Sequence, residues 1–61
     1  MEKIGYEVTF VLDYSTVITF LEKTGDWDED EIERRAAEWV RQTDGLNVTR
    51  AQEILISETV W

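Results

Sequence analysis

Over residues 4–12 the chain alternates with a period of two: Ile4, Tyr6, Val8, Phe10 and Leu12 on one side, Gly5, Glu7, Thr9 and Val11 on the other. Successive side chains of an extended strand point to opposite faces, so this spacing predicts a half-buried strand with one apolar face. It constrains the rest of the chain, because a strand buries such a face only when further strands and a covering layer join it. Asp13-Tyr14-Ser15 breaks the pattern with turn-competent residues, and residues 16–21 return to β-branched and aromatic side chains. The two segments read as a hairpin. A short helix capped by Asp13 or Ser15 competes for the second, and its four consecutive β-branched residues argue against that.

A helix start follows Thr24-Gly25. Asp28 is placed as N-cap, Glu31 stands three residues on in the reciprocal capping-box position, and Trp27 and Ile32 occupy the places of a hydrophobic staple. Ile32, Ala36, Trp39, Val40 and Thr43 make one stripe at helical spacing, with Trp39 expected in the core. Asp30 with Arg34, Glu31 with Arg35, and Glu38 with Arg41 are spaced for pairing on the remaining surface. Gly45 suits the left-handed residue after the helix, and Leu46 could fold back on Val40 or Arg41 in a Schellman-type end.

The last segment allows two readings. Thr49-Arg50-Ala51-Gln52 could open a second helix, whereas residues 54–61 have strand-like content and no helical stripe. The strand is the better fit. The expected fold is therefore α+β: a three-stranded antiparallel sheet with one helix on one face, in the order β-β-α-β; if the first strand lies between the other two, every neighbouring pair is antiparallel. All 61 residues form a single domain.

At this length a single core barely offsets the entropy of folding, and small domains usually add disulfides, a metal or a partner chain. The chain has no Cys and no His, so disulfides, thiolate and imidazole metal sites and nucleophile–histidine pairs are excluded. Self-association is the remaining staple, and no cofactor is expected. Fourteen Asp and Glu against six Lys and Arg give a net charge of -8, which disfavours direct nucleic-acid binding. Residues 8–21, the longest nearly uncharged stretch, fall short of the roughly 18 to 20 apolar residues that span a bilayer. The expected location is the cytoplasm, where the Asn47-Val48-Thr49 match to a glycosylation acceptor has no consequence.

Asp26, Asp28, Glu29, Asp30, Glu31 and Glu33 place six carboxylates within eight positions, which leaves -2 for the rest of the chain. A calcium loop would start at Asp26, but Glu31 stands where its Gly belongs and Ala37 where its bidentate Glu belongs. Acid–base catalysis needs a pocket that raises one carboxyl pKa, and a solvated helix start offers none. Several of these acids cap the helix or oppose its dipole; the others form a negative knob suited to a partner with a basic surface. A DNA mimic is the alternative. Duplex DNA carries one charge per about 1.7 Å of axis, so one dense cluster imitates it poorly and a dimer with two clusters does so better.

One helix covers one face of a sheet, so the other face tests whether the domain is self-sufficient. With Ile4, Tyr6, Val8, Phe10 and Leu12 under the helix, either Val17, Thr19 and Leu21 or Ile18 and Phe20 face away. On the last strand the choice is Leu55, Thr59 and Trp61 against Ile54, Ile56 and Val60. Either outcome leaves an apolar patch, which in a small chain marks a partner surface. A homodimer is expected, through this face or through the Pro-free terminal strand. Trp61 is a candidate interface anchor, or else it covers the open face within its own chain.

The Tyr6-Glu7-Val8-Thr9-Phe10 strand and the Trp27-Asp28-Glu29-Asp30-Glu31 opening of an Arg/Ala/Trp-containing helix resemble the small acidic orphan proteins of tailed bacteriophages. That resemblance implies a phage protein that binds and blocks a host enzyme or defence complex, and assigns no residue a role. The combined expectation is a non-enzymatic, self-associating acidic interaction protein. Its partner-binding residues are Asp26, Asp28, Glu29, Asp30, Glu31, Glu33 and Trp61.

Overall fold

The computed structural model describes residues 3–60, as an α+β fold in the order β1 (Ile4–Val11), β2 (Thr16–Glu22), α1 (Glu29–Asp44), β3 (Glu53–Val60). The strands form one antiparallel sheet with the order β2-β1-β3, so the alternating segment at the start of the chain is its centre. In the hairpin, the Leu12 N–H donates to the Ser15 carbonyl at 2.8 Å and the Lys23 N–H to the Ile4 carbonyl at 2.9 Å. β2 therefore pairs with β1 over its whole length, in unbroken register.

That register decides the faces. Val8 lies opposite Thr19 and Ile56, Phe10 opposite Val17 and Ile54, and Tyr6 opposite Leu21 and Glu58. Tyr6, Val8 and Phe10 form the core with Ile32, Ala36 and Val40 of α1 and with Val48 of the loop before β3. Ile32, Ala36 and Val40 follow one another at intervals of four, the spacing of a single helix face. The opposite side of the sheet carries Glu7, Thr9 and Val11 in the middle, with Ile18 and Phe20 on one flank and Leu55, Ser57 and Thr59 on the other.

Three expectations about the helix are corrected. Trp39 is 51% exposed rather than core, because it precedes Val40 by one residue and so sits about 100° round the helix from the Ile32–Ala36–Val40 line. Thr43 is exposed as well. The C-terminal end closes through the Gly45 N–H on the Arg41 carbonyl at 3.0 Å, with Gly45 at φ 68°, which is the simpler αL form. Leu46 remains 43% exposed there.

The segment before β3 is a turn. Asn47 Oδ1 accepts from the Thr49 N–H at 3.0 Å and from the Thr49 hydroxyl at 2.7 Å, and the Ala51 N–H donates to the Val48 carbonyl at 3.2 Å. The Asx turn seats Val48 in the core at 1% exposure. Asn47 and Thr49 thus build structure, and the capping-box reading of residues 49–52 gives way to a strand that begins at Glu53.

Candidate interaction site

The six carboxylates at the start of α1 have unequal roles. The Asp28 side chain accepts from the Glu31 N–H at 2.8 Å, and its extended backbone (φ -78°, ψ 174°) is that of an N-cap. Glu31 does not complete the reciprocal box with its carboxylate. Its Oε1 accepts from Arg35 Nε at 2.7 Å, and its Oε2 is bonded to the Arg34 guanidinium. The expected Asp30–Arg34 pair is therefore replaced by one acid bridging two arginines. Hydrogen bonding to Arg34 first, then to Arg35, holds the Glu31 carboxyl below the ordinary glutamate value despite a small opposing desolvation. Asp26, Glu29 and Asp30 are exposed, and Glu33 is half-buried. Among the described residues, no group of three or more acids converges to hold a metal ion.

Trp27 connects this region to the sheet. Its ring lies 6.0 Å from the Tyr6 ring, tilted by 34°, and the Arg35 guanidinium sits 4.6 Å above it. The residue in the staple position thus packs on the central strand while Arg35 covers its other surface. Glu31, Arg35, Trp27 and Tyr6 form a chain of contacts from the helix start to the core. A groove of about 450 Å³ opens beside it between α1 and β2, lined by Leu21, Trp27, Trp39 and the Glu31/Arg35 pair among others. Trp39 lies here because the apolar stripe of α1 is wider than the one face that the sheet covers.

The second surface is the side of the sheet away from the helix. Ile18 and Phe20 are each 54% exposed there and Leu55 50%, with Val11 half-buried between the flanks. Ile18 and Leu55 both lie opposite Thr9, so two apolar residues flank a threonine in one row across the sheet. Glu7 lies in the next row, between Phe20 and Ser57, and is half-buried. The two sequence alternatives for this face are settled in favour of Ile18 and Phe20 on β2 and Leu55 and Thr59 on β3. Trp61 lies outside the described residues.

The acidic helix start and the apolar sheet face belong to opposite layers of the molecule, since α1 packs on the Tyr6–Val8–Phe10 side. A flat partner engages one or the other. Comparison with protein-family models, with curated proteins and with solved structures gives no match. Among the described residues, no helix is long and apolar enough to cross a membrane.

Proposed function

We propose that this chain is a non-enzymatic, self-associating interaction protein that binds another macromolecule through the helix-free face of its sheet. The observation that carries the reading is the row of Ile18, Thr9 and Leu55 with Phe20 and Val11 beside it, half-exposed on a domain of 61 residues. Apolar side chains arranged contiguously on a small domain are the usual mark of a docking surface. Glu7 near the centre of the face, with Glu22 and Glu53 toward its corners, defines the partner's chemistry: an apolar surface with one basic group near its centre to meet Glu7 and others around it. The exposed acids at the start of α1 lie in the other layer and act at longer range, drawing a basic partner in without entering the contact. The resemblance to small acidic phage proteins supports a host enzyme or defence complex as the class of partner. The nucleic-acid mimic is weakened, because Asp28 and Glu31 are engaged in the cap and in the arginine bridge.

Capture from bacterial lysate by three immobilised forms tests the reading. Wild type is compared with Leu55→Lys and with an Asp26→Asn/Glu29→Gln/Asp30→Asn variant. Loss of the captured protein with Leu55→Lys, and only salt-dependent weakening with the helix variant, is the expected result. Undiminished capture by Leu55→Lys would exclude the sheet face.

A further inference from the structure

The geometry points to the open edge of β3 as the place where two copies of this chain join, antiparallel about a two-fold axis at Ile56, into one six-stranded sheet. The interface rests on the self-association proposed above and gives it a surface. With the order β2-β1-β3, each outer strand has one neighbour in the sheet. Leu12 is bonded to Ser15 and Ile4 to Lys23, so the even residues of β1 turn their backbone groups to β2 and the odd residues turn theirs to β3. The register with β3 pairs those odd residues with Glu53, Leu55, Ser57 and Thr59, which leaves the backbone groups of Ile54, Ile56, Glu58 and Val60 at the open edge. Among the described residues, no further hydrogen bond reaches these four. The β2 edge differs, since Phe20 there is already engaged. β3 also contains no Pro, Lys or Arg, the residues that most often blunt an edge strand.

An axis at Ile56 sets residues 53–59 of the two copies against each other. Ile56 then meets Ile56, Ile54 meets Glu58, Leu55 meets Ser57, and Glu53 meets Thr59. Outward-facing residues fall opposite outward-facing residues, so one ladder continues across the axis. Moving the axis to Leu55 shortens the paired strand to residues 53–57, with the turn before β3 beyond it. Moving it to Ser57 sets the two Glu58 side chains on a diagonal, about 7–8 Å apart, where like charges repel. With the axis at Ile56, each Glu58 stands opposite Ile54, four positions along the strand from the other Glu58.

The resulting pairs are chemically consistent on both sides of the sheet. Ile54 and Ile56 pack against the core on the helix side, so the two Ile56 side chains and the diagonal Ile54 side chains join the cores of the copies in one apolar line. On the helix-free side the two Leu55 side chains, each 50% exposed, become diagonal neighbours across the axis. Glu53 and Glu58 are exposed and meet Thr59 and Ile54, so no acid stands opposite another. A two-fold axis perpendicular to the sheet also leaves both helices on one side and makes the two helix-free faces one continuous surface. That surface is the one assigned above to the partner, and stacking the sheets face to face would instead cover it.

The chain contains no Cys, so one introduced thiol can form only an intermolecular disulfide. Leu55 and Ser57 are exposed, and across the axis they form a non-hydrogen-bonded pair with Cα atoms about 4.5 Å apart, inside the disulfide range of about 4.4–6.8 Å. A mixture of the Leu55→Cys and Ser57→Cys proteins should therefore cross-link under mild oxidation, and Ile18→Cys on β2 mixed with either should not. Glu58→Pro removes an N–H that faces the open edge and leaves the intrachain ladder intact, so it should return the protein to its 7.2 kDa mass with a wild-type circular dichroism spectrum. Should that spectrum change, the cross-link decides, because it uses exposed positions only. Wild type sedimenting at 7.2 kDa at micromolar concentration would overturn both the self-association and this edge. Wild type at twice that mass, with the Leu55→Cys and Ser57→Cys mixture not cross-linked or a folded Glu58→Pro still dimeric, would overturn the edge alone.

Discussion

Asp28 and Gly45 bound the helix by different physics. Asp28 supplies an acceptor to an N–H that has no partner inside the helix, while Gly45 supplies a positive φ that side chains resist. Asp28→Ala should cost about 1 kcal/mol in a urea titration, and Gly45→Ala a similar amount. The Arg34 and Arg35 bridge to Glu31 makes a separate prediction in acid. Because its folded pKa lies below the ordinary 4.5, Glu31 contributes stability that is fully present above that value and is lost as pH falls through the folded one. Thermal unfolding from pH 6 downward should show this loss in wild type, and Glu31→Gln should remove that part of the pH dependence. The bridge is solvent-exposed, so added salt should shrink the difference.

At the scale of elements, strands and helix were legible because each carries its own period. Residues 4–10 alternate, and the Asp28 and Gly45 signals fall where the helix begins and ends. Two side chains were not legible. Val48 sits in a loop, where periodicity says nothing, and it reaches the core because the Asn47 turn aims it there. Trp39 resembles its apolar neighbours in sequence, yet the 32–36–40 line leaves it off the buried face. The two therefore invert the usual ranking by size. Val48→Ala should lower stability by about 2 kcal/mol, from lost burial and the cavity left behind, in spite of removing only two carbon atoms. Trp39→Gln, which removes far more apolar surface, should cost less than that, because half of that surface is already in water. Denaturant titration of the two variants measures the difference.

Across the whole molecule, the charge and the apolar surfaces pull association in opposite directions with salt. Two copies, each at -8, repel when brought together. Repulsion between the acidic helix starts acts over a screening distance of about 30 Å at 0.01 M ionic strength and about 10 Å at 0.1 M. The dimer should therefore tighten as salt rises over that interval, since backbone pairing and apolar burial are screened little. A basic partner drawn in by the same acids should respond in the other direction and bind more weakly. Sedimentation of the protein alone and capture of its partner, each measured at both ionic strengths, separate the two surfaces by the sign of their response. A dimer that dissociates as salt is added would mean that ion pairs between the copies outweigh this repulsion.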